Sequence, residues 1–167
     1  MSAAAVPYSS PGDSVASRLL RAGVLTAVVD GLWAVVLTFA YGRPQMRLWQ
    51  GIAATLFGER MYEGGIQTAA LGVLMLVGVA FTWSAVLLAL VMSWPWLRSV
   101  LLSPGGIFKV AAVYGPIVWI VMSCVVIPAL VHKPVTLTYR WFIQAAGHIA
   151  FVGLPMAWAI ARGMRRE

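Results

Sequence analysis

Apolar and polar positions along the chain alternate in blocks rather than residue by residue. Four long runs, residues 22–40, 66–92, 108–131 and 141–161, are almost continuously hydrophobic. At 1.5 Å per residue the first run spans roughly 28 Å, enough to cross a bilayer core. The second is longer and crosses with tilt. The pattern therefore predicts an all-α membrane protein with four transmembrane helices. Tyr41-Gly42-Arg43-Pro44 is a turn sequence that ends the first helix. Residues 18–167 form a single four-helix transmembrane domain in this reading. Residues 1–17, small and polar with Pro7, Pro11 and Gly12, read as a disordered tail without the basic start and apolar centre of a cleaved signal.

The connections carry their own pattern. Between Arg47 and Tyr62, the apolar residues Leu48, Trp49, Ile52, Ala53, Leu56 and Phe57 come in pairs four apart, which puts them on one helical face. The segment is too short and too polar to span, so it is expected to be an amphipathic interfacial or partly re-entrant helix between the first and second spans. Trp94 to Leu102 reads as a shorter interfacial piece, closed by Ser103-Pro104-Gly105-Gly106. No internal repeat is evident, which counts against an inverted-repeat transporter.

Composition reinforces the pattern. Of 167 residues, 61% are hydrophobic and 10% charged, too few polar groups to cover a soluble core. Twelve Lys and Arg against five Asp and Glu give +7, but the basic residues stand in ones and twos between apolar runs. That arrangement fits topology determinants and lipid headgroup contacts, not nucleic-acid binding. Four spans put both termini on one side. That side holds Arg18, Arg21, Arg98, Lys109, Arg162, Arg165 and Arg166, and the other holds Arg43, Arg47, Arg60, Lys133 and Arg140. Seven against five favours cytoplasmic termini. Cys124 is the single cysteine, so no intrachain disulfide forms.

Helices in lipid associate through close packing and hydrogen bonds, and small residues four apart supply the seams. The first span has Gly23, Ala27 and Gly31; the second Gly64, Thr68 and Gly72; the third Ala111 and Gly115; the fourth Gly153, Ala157 and Ala161. The simplest expectation is that these seams close the bundle, and the sharper one is that one of them faces another protein. Pro116, Pro128 and Pro155 lie inside spans, where each removes a backbone hydrogen bond and can kink the helix. Trp49, Trp94, Trp96, Trp141 and Trp158 fall at expected interfaces, whereas Trp33, Trp83 and Trp119 are deeper.

Two polar residues stand out at membrane depth. Asp30 lies near the centre of the first span, where a bare carboxylate costs at least ~3 kcal/mol on insertion scales. It is expected to face the bundle, to be protonated or to have a partner. His148 lies a third of the way into the fourth span, at an axial offset of ~8 Å from Asp30 by helical rise. An interhelical polar pair is the leading reading of these two. A proton relay with Ser123, Thr68 or Gln144 is the second. The third is a cofactor ligand at His148, with Gly147 letting a flat ring approach. His132, the other histidine, falls in a loop, which counts against paired-histidine haem ligation. Glu59, Arg60 and Glu63 read as a solvated charged face. Glu59 and Glu63, four apart, have a spacing that holds a metal where other ligands join them, but no Cys or His with ligand spacing accompanies them. No catalytic triad, nucleophile elbow or phosphate-binding loop is present.

The chain resembles a loose family of small four-helix bacterial inner-membrane proteins of unknown function. The resemblance rests on Asp30-Gly31, Tyr41-Gly42-Arg43-Pro44, Trp49-Gln50-Gly51-Ile52-Ala53, Glu63-Gly64-Gly65, Gly147-His148 and Gly153-Leu154-Pro155. It implies the four-helix fold and the bacterial inner membrane, but no chemistry. Leu76 stands where the resemblance leads one to expect a mid-helix histidine, which counts against a two-histidine metal or haem site. Three functions follow as expectations. The first is a non-enzymatic accessory or assembly subunit packing against a larger, energy-converting membrane complex, with the lipid bilayer and other membrane subunits as partners. The second is a small proton-coupled transporter or channel using Asp30 and His148. The third is a cofactor- or pigment-binding subunit with His148 as ligand, the cofactor itself being unknown.

Overall fold

The computed structural model describes residues 14–132 and 134–165. Helix α1 runs from Val15 to Ala40, seven residues earlier than its apolar run. The Ser14 hydroxyl accepts from the Ser17 N–H at 3.2 Å, satisfying one of the four amides left open at a helix start. Residues 15–17 of the expected tail are thus the first helical turn, and residues 1–13 lie outside the described residues. After Ala40, Gly42 takes a left-handed backbone at φ 63°, and the Arg43 N–H closes the turn on the Thr38 carbonyl at 3.0 Å.

Helix α2 covers Gln45–Phe57 and stops at Gly58, whose φ of 82° suits only glycine readily. A 3-10 turn, Glu59–Tyr62, leads on to α3 at Gly65–Ser93. Glu59, Arg60 and Glu63 are all exposed there, as a solvated face requires. Helix α4 follows at Pro95–Leu102, then α5 at Gly106–Val131 and α6 at Tyr139–Met164. The four longest, α1, α3, α5 and α6, are long and apolar enough to cross a membrane. The architecture is that of a multi-pass membrane protein.

Two spans are not uniformly α-helical. Residues Met122–Val126 in α5 and Ile149–Gly153 in α6 are π-helical. Each segment contains the residue four before a proline: Cys124 before Pro128 and Phe151 before Pro155. Proline cannot donate to that carbonyl and its ring crowds it. A wider i→i+5 turn relieves both problems without breaking the helix.

Helix α1 packs against α3 and α6, and α5 packs against α6. The glycine seams close the bundle. A Cβ on Gly23 would lie 2.7 Å from the Phe81 ring, and one on Gly153 would lie 2.6 Å from the Ala111 carbonyl oxygen. Gly115 sits directly on the His148 carbonyl. Ala27, Ala111, Ala157 and Ala161 are buried along the same lines. Gly64 departs from the expectation. It is exposed, just before α3, and meets only the side chain of its own Thr68. Thr68 instead receives a hydrogen bond from Gln50 Nε2 at 3.4 Å.

Helix α2 folds back on the bundle. Its Trp49 carbonyl rests on Gly72 of α3, and the Trp49 indole reaches Gly31 of α1. Gly31 is nine residues inside the end of α1, ~13 Å by helical rise. Gln50 and Ala53 are buried beneath α2.

The interior divides along the bundle axis. The end that holds Val15 and Met164 has an apolar core of Ala22, Leu87, Val91, Met156 and Ile160, plugged by Leu101 of α4. The other half is aromatic and polar.

Candidate functional site

The aromatic half is built where the π-helical segment of α6 meets α1 and α5. Trp33 of α1 donates its indole N–H to Gln144 Oε1 of α6 at 3.1 Å. Its ring stacks on Phe151, with centroids 4.3 Å apart and planes 12° from parallel. On α5, Ser123 accepts from the Trp141 indole N–H at 3.0 Å. Trp119 packs against both Trp141 and His148, with centroids 6.1 and 4.8 Å away. The Trp119 indole nitrogen is buried and has no hydrogen-bond partner among the described residues.

His148 is buried at the end of the regular part of α6. Its Nδ1 lies 2.8 Å from the Gln144 carbonyl. A carbonyl only accepts, so Nδ1 carries the proton and, in the neutral ring, Nε2 keeps the lone pair. That is the tautomer a ligand or proton acceptor at Nε2 requires. Gly147 does admit a flat ring, but the ring is protein: a Cβ there would lie 2.6 Å from the Trp33 Nε1. Among the described residues no three His, Cys, Asp or Glu side chains converge as a metal site.

Asp30 faces inward. The residues three, four and seven before it, Ala27, Thr26 and Gly23, and Leu37 seven after it are all buried, and these share its helical face. Asp30 itself keeps partial exposure and makes no hydrogen bond or ion pair with any described residue. The expected contact with His148 is not formed. Trp33, one turn along α1, occupies the ground between α1 and α6, and its bond to Gln144 ties the helices instead.

The structure thus gathers His148, Gln144 and Ser123 with Trp33, Trp119 and Trp141, and leaves Asp30 separate and Thr68 with α2. Trp141, half-buried, joins this cluster through Ser123 and Trp119. The role of Phe151 was invisible in sequence; Pro155 four residues on is the signal that its turn is unusual.

In comparisons with protein-family models, curated proteins and solved structures, the chain matches none of them.

Proposed function

We propose that this chain is a non-enzymatic accessory or assembly subunit that packs laterally against a larger membrane complex. The complex is an energy-converting one of the bacterial inner membrane, and both termini are cytoplasmic. One observation carries the reading: three side-chain hydrogen bonds at membrane depth tie different spans to one another. Trp33 bonds Gln144, Trp141 bonds Ser123, and Tyr114 donates to the Trp83 carbonyl at 2.7 Å. In lipid such bonds stabilise a fixed bundle. A rigid four-helix unit with a broad apolar exterior suits a packing element. Native mass measurement after extraction in a gentle detergent tests it. A defined complex with a second, different chain is expected; a lone monomer or homo-oligomer at every protein concentration rejects the reading.

A second reading rests on Asp30. An inward carboxyl at mid-span with no partner among the described residues suits a small proton-coupled transporter or channel. In proteoliposomes, Asp30→Asn would then abolish pH-driven flux while the bundle stays folded. No flux from the unaltered protein, or equal flux from the variant, rejects this second reading. A cofactor or pigment on His148 Nε2 predicts visible absorbance from the purified protein, lost in His148→Leu.

A further inference from the structure

Asp30 and Thr26 are one turn apart on the inward face of α1, yet they differ in access. Thr26 is 1% exposed, and its hydroxyl is sealed in the interior without a partner among the described residues. Asp30 keeps partial exposure, and neither of its carboxyl oxygens is sealed in this way. The carboxyl is therefore open to a small molecule at mid-span.

No described side chain pairs with it. Helix α3 carries no titratable group at all. Helix α2 carries Arg47, whose guanidinium lies over the Tyr62 ring, 5.2 Å from its centroid. Helix α6 brings His148 to this depth, with its Nδ1 turned to the Gln144 carbonyl, while Tyr139, Arg140 and Arg162 lie toward its ends. Across the bundle, α5 has Lys109 in its first turn, Tyr114 bonded to the Trp83 carbonyl, and the exposed Cys124. On α1 itself the nearest charge is Arg21, nine residues or ~13 Å back.

A lone carboxyl in a membrane span holds a proton or takes a cation, and the walls decide which cation. Trp33 is one turn on along α1. Trp49 Cη2 lies 3.7 Å from where a Cβ on Gly31 would sit, and Leu76 Cδ2 lies 3.3 Å from it. An inorganic ion needs several oxygen ligands, and among the described residues no three His, Cys, Asp or Glu side chains converge. An organic cation, with little water to lose, needs one negative charge and an aromatic wall.

We propose that Asp30 is the binding site for an apolar organic monocation, held against Trp49 and exchanged for the carboxyl proton. On binding, the carboxyl releases its proton to solvent and keeps the bonding pair, and the resulting carboxylate pairs with the cation. The proposal rests on the reading of Asp30 as a proton-exchanging group and names the class of ion it exchanges for.

The test is equilibrium dialysis of the purified full chain, in an uncharged detergent, against radiolabelled benzyltrimethylammonium. We expect saturable binding of one cation per chain that weakens on acidification, because the proton then reclaims the carboxyl. In weakly buffered solution, binding releases protons, up to one per cation. Asp30→Asn lowers the affinity about tenfold or more, Asp30→Glu keeps proton-coupled binding, and Trp49→Leu lowers the affinity about two- to thirtyfold. Potassium in large excess leaves the organic cation bound. The proposal is overturned by no saturable binding, by binding that does not weaken on acidification, or by displacement with potassium. Unchanged affinity in Asp30→Asn or in Trp49→Leu overturns it too. The acid and potassium arms use the unaltered chain, so a variant that fails to fold leaves the test intact. Cation binding with proton release but no pH-driven flux supports this site and removes the transporter reading; Asp30-dependent flux without cation binding does the reverse.

Discussion

Trp33 and Gln144, 111 residues apart, meet through an indole N–H to amide oxygen bond of 3.1 Å that joins the first and last spans. The bond lies within two membrane-length helices, where lipid offers neither partner a substitute. Gln144→Leu leaves the indole N–H unsatisfied and is expected to cost about 1–2 kcal/mol. Trp33→Phe loses the same bond but can keep the stack on Phe151, so Trp33→Ala should be the more damaging change. Thermal unfolding in detergent, followed by loss of soluble monodisperse protein, ranks the three.

Glycines in α3 are not equivalent. Gly72 lies against the Trp49 backbone, whereas a Cβ on Gly78 would meet nothing within 4 Å. Gly72→Ala must push two main chains apart and is expected to destabilise by about 1–3 kcal/mol. Gly78→Ala only reduces backbone freedom and should be neutral or stabilising by up to ~1 kcal/mol. Matched melting curves compare the two, and equal effects would refute the α2–α3 contact.

Pro155 sustains the π-helical turn of α6, because the Phe151 carbonyl has no donor four residues on. Pro155→Ala restores the donor and favours a regular helix. One residue fewer in the turn rotates everything before it by about 100° relative to α6 beyond it. The Trp33–Phe151 stack should then be lost, at about 1 kcal/mol. Near-ultraviolet circular dichroism reads the change in aromatic packing directly.

Asp30 lies on the buried face of α1 without a partner among the described residues. Replacing it by Leu removes a carboxyl from mid-span and is expected to stabilise the isolated protein by about 2–3 kcal/mol. A stabilising change at the residue most suited to function would be the familiar signature of a group kept at a cost. A melting temperature lower than that of the unaltered chain would instead mean that Asp30 holds the bundle together.

Arg18 packs its stem against Gly163, which puts the first turn of α1 beside the last turn of α6. Reporter fusions at residues 14 and 165 should therefore report the same side of the membrane. The excess of basic residues at that end predicts the cytoplasm. Opposite sides would contradict the four-span topology, and a periplasmic result at both would invert it.

Much of the fold was legible without coordinates, for a simple reason. Twenty-residue apolar runs have few alternatives to spanning helices, because every backbone polar group must be satisfied inside the segment. Small residues four apart likewise announce close approach, and Gly23, Gly72, Gly115 and Gly153 all make it. Gly64 shared the spacing but lay beyond the helix, since periodicity cannot locate the first helical residue. The start of α1 shows the same effect: residues 15–17 read as tail, yet Ser14 caps the helix ahead of them.

The candidate site divided differently. Asp30 and His148 could be picked out from the cost of polar groups in lipid, a property of single residues. Their separation could not, because helical rise gives depth but not rotation or the choice of neighbour. Sequence alone determined that this chain makes four membrane-length helices, and which polar groups would have to be accommodated among them. Only the tertiary structure decided how: the prolines opened two π-helical turns, Trp33 took the space between α1 and α6, and Gln144, not Asp30, became the tie. Those outcomes depend on side-chain volume and direction across helices more than a hundred residues apart, which no local pattern encodes.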